Sequence, residues 1–137
     1  MRPIYFSVLI PIFSLIISGC DPAVEYSRVL QNDSDYDLWV VRDSAHVRDS
    51  SLLLAGMSQT LWDIWHIGNV GLYESCPGTE AIPEPSIFSV HVKNRDSLSV
   101  KGDLHASEGW IYSILSQGPF GSGMCECRRI LTNTDID

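Results

Sequence analysis

Apolar and polar residues alternate along short segments of this chain, and that pattern constrains its fold more than any other feature of the sequence. In Ile87–Val92 (IFSVHV), for example, Phe88, Val90 and Val92 fall on one face. A period of two is typical of β-strands. No stretch combines a helical period with the caps expected of a three-turn helix. We therefore expect an all-β fold.

Turn residues separate the segments with strand-like composition. These segments are Glu25–Asn32, Asp35–Arg42, Thr60–Ile67, Ile87–Val92, Ser97–Lys101, Trp110–Leu115 and Met124–Leu131. A further apolar run, Leu52–Leu54, precedes a glycine turn. Seven to eight short strands at this spacing indicate an antiparallel β-sandwich, immunoglobulin-like in its arrangement, or a small barrel.

One of the turns and one of the segments allow more specific expectations. The turn-rich sequence Asn32–Asp35 between the first two segments indicates a hairpin. Thr60–Ile67 (TLWDIWHI) is largely apolar on both faces, which is typical of a central strand. Trp62 and Trp65 fall on opposite faces of that strand, so we expect one of them to be less buried.

The first twenty residues have the organisation of an export signal. Arg2 supplies the basic start, an apolar run extends from Ile4 to Ile17, and small residues Ser18 and Gly19 end the segment. The run is shorter than the roughly 20 residues that span a bilayer comfortably. We therefore interpret residues 1–19 as a removable signal peptide.

The end of this segment, Ile17-Ser18-Gly19-Cys20, resembles the lipobox of bacterial lipoproteins. The resemblance implies that Cys20 receives a diacylglyceryl group and becomes the first residue of the mature protein. Two or three acyl chains would make the attachment effectively permanent. The stretch 29–41 (VLQNDSDYDLWVV) is also similar to first hairpins of small β-sandwich lipoproteins. The implied organisation is a signal peptide (1–19), a lipidated tether (20–24) and one β-sandwich domain (25–137).

Charge limits the partners that such a domain would bind. The chain has 17 Asp and Glu against 9 Lys and Arg, for a formal charge of −8, and removal of Arg2 with the signal makes it more negative. This balance disfavours nucleic acid, which rewards a basic face. The expected partners are membrane lipid, through acylated Cys20, and an envelope protein or glycan. The expected location is the cell membrane or outer membrane, with the domain in the periplasm or at the cell surface.

Three cysteines remain once Cys20 is lipidated: Cys76, Cys125 and Cys127. An exported protein can oxidise them. Cys125 and Cys127 would share one face of a strand, too far apart for normal disulfide geometry. We therefore expect a bridge from Cys76 to one of the two, which leaves one buried thiol. Three buried thiols, or metal binding by Cys125, Cys127 and a histidine, are the alternatives.

No motif of a known catalytic or cofactor-binding type is present in the sequence. GxSxG, HExxH and P-loop patterns are all missing, so we assign no catalytic residue, metal ligand or cofactor. Of four scattered histidines, His91 and His105 could meet across a sheet near Asp103 and form an enzyme or metal site. The favoured function is a non-enzymatic binding or structural role in the cell envelope, with such a site as the alternative.

Overall fold

Seven strands in two sheets form the fold in the computed structural model, which describes residues 23–43, 48–67, 75–76 and 87–137. The strands are β1 (Ala23–Asn32), β2 (Leu38–Asp43), β3 (Arg48–Leu53), β4 (Ser58–Ile67), β5 (Ile87–Val92), β6 (Ile111–Gln117) and β7 (Gly123–Leu131). The helical segments among the described residues are two single 3-10 turns, Pro119–Gly121 and Asn133–Asp135. The predicted all-β sandwich is confirmed, and the described strands form no closed barrel.

The larger sheet has the strand order β4-β1-β7-β6 and the smaller one the order β3-β2-β5. Inward-facing residues of both sheets form one core, because alternation along each strand turns every second side chain inward. β1 contributes Val24, Tyr26 and Leu30, and β5 contributes Phe88, Val90 and Val92 as predicted. Every strand pair is antiparallel except β1 with β7, which run parallel in the centre of the larger sheet.

The first two strands do not form the expected hairpin, because β1 and β2 belong to different sheets. Asn32 and Ser34 are buried and turn the chain from one sheet to the other. The Asn32 side-chain amide donates to the carbonyls of Tyr36 (2.7 Å) and Leu53 (3.2 Å), and its oxygen accepts from the Ser34 hydroxyl (2.6 Å). Turn residues are needed in a hairpin and in a crossover alike, so their presence did not distinguish the two.

Two other expectations also need correction. β4 is an edge strand of the larger sheet and not a central one, because it stands first in the strand order and is followed by β1. Ser97–Lys101 forms only isolated bridges at Ser99 and Val100, while the polar segment Arg48–Leu53 forms β3. The first described residue, Ala23, belongs to β1. The predicted signal peptide, Cys20, His46 and the side chain of His66 lie outside the described residues.

Candidate functional site

A row of side chains crosses the outer face of the larger sheet near the start of β1. Glu25 of β1 pairs with Trp65 of β4 on one side and with Met124 of β7 on the other. Met124 in turn pairs with Ser116 of β6. Neighbouring strands lie about 4.8 Å apart, so the backbones of Trp65 and Met124 are about 10 Å apart across Glu25.

Three large apolar side chains are exposed in or beside this row. Trp65 is 65%, Leu115 54% and Met124 40% exposed. Leu115 is the extra residue at an irregularity in β6, between Ile114 and Ser116. Single exposed apolar residues are ordinary on protein surfaces, but a group of them indicates an interaction site. We refer to Trp65, Leu115 and Met124 as the Trp65 patch.

Alternation along β4 explains why one tryptophan of this strand is inside and the other outside. Trp65 follows Trp62 by three positions, an odd offset, so the two side chains point to opposite faces. Trp62 turns inward and packs on Tyr26, with ring centroids 5.0 Å apart. Trp65 turns outward. The expectation that one of the two tryptophans is less buried is confirmed.

The Trp65 patch lies beside the start of β1, which follows the predicted lipid site by three residues. Ala23, the first residue of β1, pairs with Ile67 at this end of the sheet. Cys20 precedes Ala23 by three residues, which can span at most about 11 Å. Any group attached to Cys20 therefore stays near this end of the domain.

Charged groups on the same outer face are largely occupied by one another. The Arg128 guanidinium donates to both carboxylate oxygens of Glu126, at 2.7 and 3.0 Å, and to the Gln31 side-chain oxygen at 2.7 Å. The hydrogen bond to Glu126 raises the pKa of Arg128. Glu25 is the acidic residue in the row itself, and exposed Asp63 pairs with Ser27, two residue pairs further along β1.

A second group of exposed apolar residues lies at the opposite end of the domain. Trp39, on the outer face of the smaller sheet, pairs with Leu52, and Leu54 and Met57 follow β3. The Asn32 backbone N–H donates to the Met57 carbonyl at 2.9 Å, which places this group at the end of β1. Leu52, Leu54 and Met57 line a shallow depression of about 250 Å³. We refer to Trp39, Leu52, Leu54 and Met57 as the Trp39 patch.

Arg28 and Arg129 both donate hydrogen bonds to the segment between β5 and β6, and Arg28 is the more buried of the two. Arg28 of β1 is fully buried and its guanidinium lies 3.9 Å from the centre of the Trp110 ring. It donates to the carbonyls of Leu104 (3.4 Å) and Ala106 (3.5 Å). Burial lowers the pKa of Arg28 despite the opposing charge interaction with Tyr26. These contacts fix residues 104–110 to the sheet, which is a structural role.

A depression beside this segment contains Arg129, whose side chain is hydrogen-bonded to its own chain. It has a volume of about 400 Å³ and is lined by Gly102, Asp103, Ala106, Glu108, Gly109 and Arg129. Arg129 donates to the Glu108 carbonyl at 3.3 Å and lies 3.8 Å from the Asp135 carboxylate. A side chain at Gly109, whose φ is 79°, would collide with the Arg129 guanidinium. Arg129 is therefore packed against its own chain.

The structure does not bring together the three residues of the alternative enzyme site. The Asp103 carboxylate accepts a hydrogen bond from the His105 backbone N–H at 2.8 Å, so these two are neighbours. The His105 ring packs on Phe88, 4.8 Å away, on the inner side of β5. His91 is exposed and lies three residues from Phe88, on the opposite face of the strand. The two histidines are thus on different sides of the smaller sheet.

The cysteines are arranged around the middle of β7. Cys76 forms a disulfide with Cys127, with a Cα–Cα distance of 5.6 Å. Cys125 shares the inner face of β7, and its buried thiol donates to the Glu25 carbonyl at 3.6 Å. Cys125 and Cys127 therefore cannot supply two thiolates to a metal, because the Cys127 sulfur is bonded to Cys76. No group of three or more metal-ligating side chains occurs among the described residues.

Sequence reasoning identified Trp65 as a candidate for exposure but missed Leu115, Met124 and Arg28. The signal for Met124 was present, because alternation along MCECRRIL puts it on the face opposite Cys125 and Cys127. No local signal marks Leu115, since its exposure depends on an irregularity in β6. Arg28 lies in an ordinary strand pattern, and only the packing of Trp110 over it explains its burial.

Comparison with known proteins adds no assignment: no family model, curated protein or solved structure matches this chain. Within the described part of the chain, no helix has the length and apolar character needed to cross a membrane.

Proposed function

We propose that this chain is a bacterial lipoprotein of the cell envelope, anchored through acylated Cys20, with a non-enzymatic binding or structural role. The observation that carries the proposal is the sequence Ile17-Ser18-Gly19-Cys20 at the end of a basic and apolar leader. A lipidation site must be reachable by enzymes at the membrane. In the chain, Cys20 precedes Ala23, the first residue of β1, by three residues.

Cysteine chemistry supports the export that this proposal requires. The disulfide between Cys76 and Cys127 joins residues far apart in the chain. Such bonds persist in oxidising compartments such as the periplasm and the cell exterior, and are rare in the reducing cytosol. An exported lipoprotein would acquire this bridge after translocation. Lipid modification at Cys20 and oxidation of Cys76 would then take place on the same side of the membrane.

The distribution of side chains favours a binding or structural role over catalysis. His91 and His105, the candidates for a catalytic pair, lie on different faces of the smaller sheet. The Trp39 patch exposes four apolar residues at the end of the domain away from Cys20. An envelope protein or glycan could contact this patch while the lipid holds the opposite end, and the acidic charge disfavours nucleic acid as the partner.

The proposal is tested by labelling growing bacteria with an alkyne fatty acid and comparing three forms of the full chain. We expect label on the wild-type protein and on Cys125→Ala, a matched cysteine variant outside the disulfide. We expect no label on Cys20→Ala, which should remain as an unacylated precursor. Equal labelling of Cys20→Ala and the wild type would overturn the proposal.

A further inference from the structure

We propose that the Trp65 patch is a membrane-docking surface that rests on the same bilayer in which Cys20 is anchored. The occupant of the patch is a phospholipid surface, and the contact is made by Trp65, Leu115 and Met124. This inference depends on the lipidation of Cys20 proposed above, and it adds an orientation: the outer face of the larger sheet is turned toward the membrane at the β1 start.

The short connection between Cys20 and the sheet restricts where the domain can be. Three residues reach at most about 11 Å, and the two residues from Ala23 to Glu25 add about 7 Å along the strand. Trp65 lies on the strand next to Glu25. The headgroup region of one leaflet is itself several ångströms deep, so a connection of this length allows the patch to contact lipid. The short tether therefore keeps the local concentration of lipid at the patch high.

The composition of the patch suits the membrane interface. Tryptophan is enriched at bilayer surfaces because its ring is amphipathic, with an apolar body and one N–H donor. Leu115 and Met124 add apolar area beside it, and both are about half exposed. A lipid-anchored domain needs only a weak contact at this point, since the acyl chains already supply the attachment.

Charge determines how deep this contact goes. Glu25 lies between Trp65 and Met124, and Asp63 is exposed nearby. Two acidic side chains do not attract anionic lipid headgroups, and burying them in hydrocarbon is costly. The docking is therefore shallow and apolar, with the carboxylates left in the hydrated headgroup layer. It should change little with salt concentration, unlike docking through a basic patch.

The position of the Trp39 patch explains why it is not the membrane surface. It lies at the opposite end of β1 and on the outer face of the other sheet. Asn32 follows Glu25 by seven positions in β1, which corresponds to about 23 Å along the strand. When the Trp65 patch rests on the bilayer, Trp39 points away from it. Trp39 is therefore an internal control, a second exposed tryptophan that should not contact lipid.

The test uses the full chain, purified from bacterial membranes in its lipidated form and placed in vesicles of phosphatidylethanolamine with a minority of phosphatidylglycerol. The vesicles contain phospholipid brominated near the headgroup end of the acyl chain, which quenches tryptophan fluorescence on contact. We expect quenching of the wild-type protein, loss of most of it in Trp65→Phe, and retention in Trp39→Phe. Bromines placed at the chain ends should quench less, because the contact is shallow.

A second variant keeps Trp65 as the reporter and changes only its surroundings. In Leu115→Gln with Met124→Gln, both at exposed positions, the fold should be retained and quenching should fall at least twofold. Equal quenching in wild type, Trp65→Phe and this double variant would overturn the docking surface, as would a lack of any quenching in vesicle-bound wild type. The latter result would mean that the patch faces water or a protein.

The two proposals fail in different ways in the same preparation. Fatty-acid labelling and flotation with the vesicles report the anchor, whereas bromine quenching reports the orientation. A labelled protein that floats without quenching contradicts the docking surface alone. A protein without label on Cys20 contradicts both proposals, because the docking geometry rests on the tether.

Discussion

The Trp65 patch and the Trp39 patch expose the same kind of side chain at opposite ends of the domain, but different interactions hold the chain around each of them. Around the Trp39 patch, buried Asn32 binds Tyr36, Leu53 and Ser34, and its backbone binds Met57. Around the Trp65 patch, β7 is held by the Cys76–Cys127 disulfide, three residues from Met124. Polar contacts thus hold the chain at the Trp39 patch, whereas a covalent bond holds the middle of β7, one strand segment away from the Trp65 patch.

This difference shows that exposure alone does not assign a role to a patch. Both patches contain a tryptophan and at least two further apolar residues. What distinguishes them is their position relative to the start of β1, which follows Cys20 by three residues: the Trp65 patch lies at that end of β1 and the Trp39 patch at the other end. This position relative to the proposed anchor, and not the composition, is the basis on which we propose one patch as a surface for lipid and the other as a surface for another partner.

The largest effect on stability is expected from the covalent support of β7. Replacing Cys76 and Cys127 together with alanine should lower the free energy of unfolding by about 4 kcal/mol, because the bridge closes a long loop in the unfolded chain. Urea denaturation followed by tryptophan fluorescence measures this loss. The control Cys125→Ala leaves the bridge in place and should lose less than half as much. Coincident curves for the double variant and the wild type would show that the bridge contributes nothing.

The polar support of the other end should come next. Asn32→Ala removes the donor for two carbonyls, those of Tyr36 and Leu53, at a fully buried position. Each buried group left without a partner costs about 1 to 3 kcal/mol, so we expect a loss of about 3 kcal/mol in the same urea experiment. Asn133→Ala, which removes an exposed amide bound to Asp35, should cost under about 1 kcal/mol. Equal losses for the two variants would contradict this view of Asn32.

Acid should weaken the Asn32 end through Asp135, which follows the end of β7. Burial alone would raise the pKa of the Asp135 carboxyl, but hydrogen bonds from the Thr132 backbone and hydroxyl, with the charges of Arg129 and Lys101, lower it below 3.8. A carboxyl with a lowered pKa in the folded state stabilises the fold above its unfolded pKa. That contribution is lost as the pH falls through the folded pKa.

Asp135→Asn tests this dependence directly. At neutral pH the variant should lose about 1 kcal/mol, the typical value of a cap, because Asp135 accepts from the Thr132 N–H and hydroxyl. Below about pH 4 its stability should converge with that of the wild type. Urea midpoints measured across this pH range decide the matter. Asp137→Asn removes the same charge at an exposed position, and a parallel pH profile for both variants would argue against a role for the Asp135 contacts.

The smallest effect is expected from the tryptophans themselves. Trp65→Ala should change the free energy of unfolding by only about 0.5 kcal/mol, since most of the side chain is already in water. The Trp39 side chain is 38% exposed, so Trp39→Ala should lower the free energy of unfolding somewhat more. By contrast, Trp62→Ala removes a ring packed on Tyr26 and provides the scale for a buried tryptophan. A loss above about 2 kcal/mol for Trp65→Ala would mean that the patch serves packing.

Much of the strand content was predictable from local pattern, and the strand order was not. Ile87–Val92 forms β5 with the bounds that its alternation indicates. β3 was missed because Arg48–Leu53 is mostly polar and forms a strand only through pairing with β2. β4 looked central from its apolar faces, but its position at the edge depends on which strands pair with β1. Pairing joins residues far apart in the chain, and no local window contains that information.

Some features of the candidate site also follow from local sequence, whereas others depend on strand pairing. The period of two along a strand is a local property, and it determined from sequence that Trp62 and Trp65 face opposite ways and that Cys125 and Cys127 share a face. The leader ending at Cys20 is likewise a local signal, on which the proposed anchor rests. The parallel pairing of β1 with β7, by contrast, places Met124 beside Glu25, on the side opposite Trp65, and no local pattern contains that pairing.

Tertiary structure alone decided which residues meet across the fold. It selected Cys127 over Cys125 as the partner of Cys76, and it separated His91 from His105 by the thickness of a sheet. It also assembled the Trp65 patch from β4 and from the consecutive strands β6 and β7, which lie far from β4 in the chain. The physical reason is that backbone geometry determines the direction of each side chain locally, whereas its neighbours depend on the packing of the two sheets around one core.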